Sequence, residues 1–140
     1  MKTATSKVTK TIIARCDRGE DLYGCLDKLV KDNQVRSGCF QVMGALGQAK
    51  LGIFEQGRYE WVEHKGALEI ASCIGNVSLK EGEPFVHCHA VLTDHKGTSI
   101  GGHVGPGCII DPTAEIHLRV YDHPVSRRHD PDTNLWILDI

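Results

Sequence analysis

The chain has 140 residues, of which 41% are hydrophobic and 24% charged, and its formal net charge is −2. This length predicts a single domain over residues 1–140, large enough to bury roughly two thirds of its unfolded surface. The near-neutral charge excludes a general field that would attract a polyanion such as DNA. No apolar run approaches the ~20 residues of a membrane span. Met1–Ser6 is polar, unlike a secretory signal, so we expect a flexible start and a cytoplasmic protein that does not enter a membrane.

The first predicted elements are a strand and the only convincing helix. Val8–Ala14 alternates β-branched residues with others, which is typical of a strand. Apolar residues then recur at helical spacing, which predicts a helix whose buried face consists of Leu22, Cys25, Leu26, Leu29 and Val30. Asp17 or Gly19 is expected near its cap, and Lys28 and Lys31 lie in its last turn, where positive charge is favourable.

From Gly38 onward the sequence alternates short apolar stretches with turn signals. The predicted strands are Cys39–Met43, Ala49–Phe54, Arg58–His64, Ala67–Leu79, Phe85–Thr93, Thr98–Val104, Thr113–Tyr121 and Leu135–Ile140. So many strands beside one helix predict an α+β fold, a curled and mainly antiparallel sheet closed by one main helix. Residues 122–134, which contain two prolines and several polar residues, are expected to form a loop.

Six scattered cysteines form no CxxC pair: Cys16, Cys25, Cys39, Cys73, Cys88 and Cys108. A disulfide framework in a small secreted domain would show closer, paired spacing. We therefore expect reduced, mostly buried thiols.

Three histidines lie close together in the sequence on short β elements. His87 and His89 are two residues apart, so in a strand they project from the same face while Cys88 points away. The turn signal at Asp94–Gly97 reverses the chain, and the returning strand can bring His103 toward the pair. Neutral imidazoles on a rigid sheet are good ligands for zinc or another divalent transition metal, and three of them leave a fourth tetrahedral position open. Half-buried histidines hydrogen-bonded to backbone are the alternative.

The same stretch resembles a known family. The sequence HCHAVL from His87, the glycine pair Gly101-Gly102 before His103, and the segment Asp111–Glu115 are similar to the core of the plant and prokaryote conserved (PPC) domain. Upstream, Gly38–Met43 followed by Gly44-Ala45-Leu46-Gly47 resembles that domain's apolar strand and glycine-bearing turn. Together these segments cover most of the chain in the family's order.

The resemblance implies a free-standing prokaryotic PPC protein with a compact α+β fold. It further implies a homotrimer and, as in many prokaryotic members, a histidine-bound metal. The family's DNA-binding label rests largely on plant relatives that carry a separate AT-hook.

Glu115 is a candidate for supporting the metal. In Thr113–Tyr121 the apolar residues alternate with polar ones, and Glu115 falls on the polar side. If that side faces the metal, Glu115 could orient a bound water or a ligand histidine through a hydrogen bond. An exposed ion pair with Arg119 is the alternative.

Two further patterns are weaker evidence for a functional site. The glycines at 101–107 lack the lysine and helix of a phosphate-binding loop, so they indicate tight turns or close backbone approach beside the histidines. Arg127-Arg128-His129 is flanked by Asp122, Asp130 and Asp132, which favours a solvated loop over a nucleic-acid contact.

Three functions remain open. The first is a metal-binding, oligomeric regulatory or interaction module with a small-molecule ligand at the metal. The second is DNA binding, for which the chain offers neither a basic face nor an AT-hook, so direct binding is expected to be weak at most. The third is a zinc-dependent hydrolase or lyase, which lacks an evident general base other than Glu115.

Overall fold

The computed structural model describes the whole chain, Met1–Ile140. Its elements in chain order are β1 (Val8–Asp17), α1 (Leu22–Asp32), β2 (Gly38–Glu55), β3 (Arg58–Lys80), β4 (Glu83–Thr93), β5 (Ser99–Val104), β6 (Ile109–Tyr121), β7 (Ser126–Asp130) and β8 (Leu135–Asp139). The predicted curled antiparallel sheet with one helix is present. Because 66% of the residues are in strands and α1 has 11 residues, the fold is mostly β rather than clearly α+β. No helix is both long and apolar enough to cross a membrane.

The curl comes from a ring of strand pairings. The eight strands form one sheet in the order β1-β6-β2-β5-β4-β3-β7-β8, and β2 also pairs with β3. Thus β2 pairs with β3, β3 with β4, β4 with β5, and β5 returns to β2 through Leu51–Val104 and Gly52–His103. Every pairing between strands is antiparallel except the single parallel pair Leu79–Ser126. The ring places β4 and β5 side by side, and these strands carry the three histidines.

The two longest strands each join two predicted ones. β2 spans both Cys39–Met43 and Ala49–Phe54, and its register against β3 shifts between Val42 and Ala45. Gly44 lies within this shift at φ +139, and a Cβ there would lie 2.3 Å from the carbonyl oxygen of Thr113. The glycine therefore bends the strand without ending it, as in a β-bulge.

The core lies between α1 and the inner face of the sheet. Along β6, Ala114, Ile116, Leu118 and Val120 are buried, which confirms the predicted core face. From α1, Leu22, Leu26 and Val30 are each no more than 1% exposed. Burial of a leucine or valine side chain of this kind contributes about 1.5–3 kcal/mol. All six cysteines are free thiols, and four of them are buried.

The cap of α1 is Asp21, not Asp17 or Gly19 as predicted. Its Oδ1 accepts a hydrogen bond from the Gly24 amide at 2.8 Å. Its Oδ2 accepts from the amides of Gly107 and Cys108 at 2.6 and 3.1 Å. One carboxylate thus caps the helix and fixes the segment that leads into β6, a contact across the fold that local spacing does not reveal.

Residues 122–134 are not a simple loop. Ser126–Asp130 forms β7, which pairs antiparallel with β8 from Ser126–Asp139 to Asp130–Leu135. The Leu79 amide donates to the carbonyl of Val125 at 2.8 Å, which attaches this C-terminal hairpin to β3. The sequence of β7 does not predict a strand, because its side chains are mostly charged. Such side chains are tolerated there because β7 lies near the sheet edge and most of them are exposed to solvent.

Candidate metal centre

The three histidines converge because of strand alternation and one tight turn. On β4, Val86, Cys88 and Ala90 point into the core at 1–4% exposure, so His87 and His89 project from the opposite face. Asp94 closes the following turn, because its Oδ1 accepts from the amides of Lys96 and Thr98 at 2.8 Å each. The returning β5 places His103 directly opposite His89.

The imidazoles form a compact triangle. Ring centroids lie 5.2 Å apart for His87–His89, 5.1 Å for His87–His103 and 5.4 Å for His89–His103. One nitrogen from each ring lies within 4.8 Å of the other two. Zinc–nitrogen bonds are about 2.0–2.1 Å, so small side-chain movements would bring all three nitrogens onto one ion.

The electrostatics keep two of these rings, His87 and His103, neutral. Burial, then the Arg127 guanidinium and then His89, lower the pKa of His87 to about 4. Burial, followed by the neighbouring His87, His89 and Arg127, lowers the pKa of His103 to about 4 as well. A neutral imidazole has a free lone pair, which is the form that a metal requires.

One buried atom in the cluster has no partner. Nδ1 of His103 is buried and makes no hydrogen bond. An unpaired buried polar nitrogen costs about 1–3 kcal/mol, so native proteins rarely leave one without a role. The ring cannot turn freely, because Tyr59 and Trp61 lie against it with centroids at 4.6 and 6.0 Å. The donor set, its neutrality and this orphaned nitrogen together fit a divalent transition metal.

Glycines allow Tyr59 and Trp61, here called the aromatic wall, to approach the histidines. A Cβ on Gly105 would lie 2.5 Å from the Trp61 ring, and one on Gly52 would lie 3.0 Å from both Trp61 and Tyr59. On β5, a Cβ on Gly102 would lie 2.8 Å from the Gly52 carbonyl oxygen. These contacts agree with the prediction of close backbone approach beside the site. Tyr59 and Trp61 were not predicted, since nothing local links residues so far from the histidines in sequence.

Arg127 is the other residue that the sequence did not reveal. It lies on β7, and its Nη2 is 3.4 Å from Nδ1 of His87. The same guanidinium donates to Ser78, Asn76 and the carbonyl of Trp136. The interpretation of Arg127 as part of a solvated loop is therefore wrong.

Glu115 does not reach the histidines within this chain. It is exposed on β6 and pairs in register with Arg15 and Met43. β6, β2, β3 and β4 are successive neighbours here, so about 14 Å separates the first from the last at ~4.8 Å per strand. Glu115 also makes no ion pair with Arg119, because every ion pair of the chain involves other residues.

A curated relative matches most of this chain. The Bifunctional protein GlmU of Synechococcus sp. (strain JA-2-3B'a(2-13)) is 34% identical over 126 residues, which cover 87% of this chain and 19% of that protein. The chain therefore spans about a fifth of the length of this relative.

Solved structures share the entire fold. A metal-containing protein from Archaeoglobus fulgidus is 27% identical with a TM-score of 0.90, and the match covers 100% of both chains. A plant- and prokaryote-conserved (PPC) protein from Pyrococcus horikoshii is 32% identical with a TM-score of 0.87, covering 98% of this chain and 97% of the other. A candidate DNA-binding protein from Ralstonia eutropha JMP134 is 25% identical with a TM-score of 0.84, covering 91% and 90%.

The family model gives the same assignment. The model of the Plants and Prokaryotes Conserved (PCC) domain matches residues 3–122. This range includes all three histidines and ends just before the C-terminal hairpin. The chain belongs to the Plants and Prokaryotes Conserved domain family.

Proposed function

We propose that this protein is a metal-binding, oligomeric module that holds one divalent transition metal with His87, His89 and His103 and presents it to a small ligand. The observation that carries the proposal is the convergence of three imidazole nitrogens within 4.8 Å on two paired strands. The similar Archaeoglobus protein, described as metal-containing, supports it.

Zinc is the metal we favour. Three imidazoles without a thiolate or carboxylate suit zinc, and they leave one coordination position free. When bound, the ion supplies that open position to an incoming oxygen or nitrogen atom. The chain's own contribution is to hold the His87 and His103 rings neutral and to restrict the His103 ring with the aromatic wall of Tyr59 and Trp61.

The surroundings favour ligand binding over hydrolysis. A groove of about 580 Å³ lies against His87 and His89, and Gln41, Asn76 and Arg119 also line it. This volume lies in the usual range for small-molecule sites. No carboxylate lines the groove, and its two histidines, His87 and His89, are assigned here as metal ligands, so no further side chain of its walls offers a general base for a hydrolase or lyase.

We further propose that the chain assembles as a homotrimer, which the family resemblance implies. Large apolar side chains are exposed on the sheet face that carries His89, and the most exposed of them are Ile13 at 71%, Met43 at 58% and Ile74 at 57%. Ile74 pairs directly with His89 in register, so this apolar face begins at the metal centre. Several exposed apolar side chains on one face are typical of subunit contacts.

Metal content tests the first proposal. Protein refolded with limiting zinc and freed of loose ions should carry about one zinc per chain. His89→Ala, and more completely the double variant His87→Ala/His89→Ala, should reduce the occupancy sharply. His117→Ala is the matched control, because His117 is an exposed histidine on the same sheet face, in register with Gln41 on β2.

A second set of donor atoms must be controlled in the same experiment. Cys16, Glu20 and Cys25 also place one ligand atom each within 4.8 Å of one another. A Cys25→Ser variant separates this cluster from the histidines, and it should retain full occupancy. Full zinc retention in the double histidine variant, or its loss in Cys25→Ser alone, contradicts the assignment to the histidines.

A further inference from the structure

Arg127 approaches the metal centre from a part of the chain that the family model does not match. Its strand β7 lies beyond residue 122, where the match ends. The Phe85 ring packs 5.3 Å from the guanidinium carbon and fixes its orientation. The C-terminal hairpin therefore delivers a half-buried cation to the edge of the histidine triangle.

This cation has no anionic partner. Its acceptors are the hydroxyl of Ser78 at 2.8 Å, the amide oxygen of Asn76 at 2.9 Å, the carbonyl of Trp136 at 2.6 Å and His87 at 3.4 Å. All four are neutral, whereas the next residue, Arg128, pairs with Asp139 at 3.6 Å. Charges removed from water are usually paired, so a half-buried guanidinium without a carboxylate partner is suited to binding an anion.

The contact with His87 is incompatible with metal ligation. Nη2 of Arg127 can donate only to a lone pair on Nδ1 of His87, and in that tautomer Nε2 carries the hydrogen. If His87 binds a metal through Nδ1, that lone pair is taken. If it binds through Nε2, Nδ1 carries the hydrogen and two donors face each other. In either case Arg127 is left with an N–H group that lacks an acceptor, next to an additional positive charge.

We propose that Arg127 and the three-histidine metal centre together form an oxyanion site, which takes a small carboxylate or phosphate group. This inference rests on the proposed metal function and names its ligand class. An oxyanion has several oxygens, so it can occupy the open coordination position and also accept from Arg127. The oxyanion supplies a negative charge, which balances the positive charges of the ion and Arg127. Arg127 acts here as a binding and specificity residue.

Cobalt substitution provides a direct readout. Cobalt-loaded protein is titrated separately with acetate and with inorganic phosphate, with perchlorate as the weakly coordinating comparison, and the visible absorption bands of the ion are followed. The wild type should respond saturably to acetate, phosphate or both, and the two titrations distinguish a carboxylate from a phosphate ligand. Arg127→Gln should weaken the anion affinity about 10- to 100-fold, since hydrogen bonds to charged groups contribute about 1.5–3 kcal/mol. Arg128→Gln is the matched control and should leave the affinity unchanged.

A measurement on the wild type alone keeps the test independent of the variant's folding. Binding is reciprocal, so the effective anion should tighten cobalt binding by the same factor by which cobalt tightens anion binding. Failure of the wild type to bind cobalt at the histidines rejects the proposed metal function. Cobalt binding without any effect of acetate or phosphate, or equal anion affinity in the wild type and a folded Arg127→Gln, overturns this inference and leaves the metal function intact.

Discussion

Two histidines with strongly lowered pKa values should make the stability of the metal-free protein depend on pH. His87 and His103 have a pKa of about 4 in the folded chain, against an ordinary value of 6.5. A difference of this size corresponds to about 3.4 kcal/mol per group at about 1.36 kcal/mol per pKa unit. Solvent reaches both rings, so we expect about half of the combined value, roughly 3 kcal/mol, to appear in the free energy of unfolding.

The sign follows from which state takes up protons first. As the pH falls below 6.5, the histidines of the unfolded chain are protonated while those of the folded chain stay neutral. The stabilisation is therefore complete above pH 6.5 and is lost progressively as the pH falls toward 4. Asp122, whose pKa is held far below its usual value chiefly by the Lys7 amide and the Ser6 hydroxyl, contributes only in a more acidic range.

Urea unfolding of chelator-treated protein at several pH values from 7 to 4.5 measures this effect. The double variant His87→Gln/His103→Gln should show a much weaker pH dependence than the wild type, whatever its absolute stability. His117→Gln, which changes an exposed histidine of the same sheet, should retain the full dependence. An equal slope in the wild type and the double variant would refute the reasoning, because the pH dependence would then arise elsewhere.

Two further predictions concern assembly and DNA. Ile74→Asp should shift the oligomer toward monomer in light scattering. Ile53→Asp should not, although its side chain is nearly as exposed, because it lies near the tip of the β2–β3 hairpin. A wild type that is monomeric at micromolar concentration would contradict the trimer. Fluorescence anisotropy should find a Kd for DNA no tighter than roughly 10⁻⁴ to 10⁻⁶ M at physiological salt, because basic side chains such as Arg15, Arg18 and Lys31 are neutralised by ion pairs with aspartates. Nanomolar, sequence-selective binding would contradict this.

The parts of the site that follow from sequence are those set by short-range geometry. Alternation along β4 places His87 and His89 on one face, and the turn at Asp94–Gly97 returns His103 to them. Both relations depend on residues less than 20 apart. The core face of β6 was predictable for the same reason, because alternation within one strand decides it.

The parts that could not be predicted depend on contacts between distant segments. Gly47 and Gly66 have the sequence character of turns, yet they lie within β2 and β3, because neighbouring strands continue past them. Whether a glycine bends a strand or ends it depends on those neighbours rather than on the glycine itself. Arg127 meets His87 across 40 residues, and no local spacing relates the two.

The exposed apolar side chain of Ile74 has a consequence for the candidate metal centre. Ile74 lies directly opposite His89 on the neighbouring strand, and both line the same groove with Arg119. A subunit that packs on Ile74 would therefore also exclude water from His89. Lower solvent access strengthens the attraction between an oxyanion and the cations around it, since the effective dielectric constant falls. If the chain forms the proposed oligomer, oligomerisation and anion binding would stabilise each other through one shared surface.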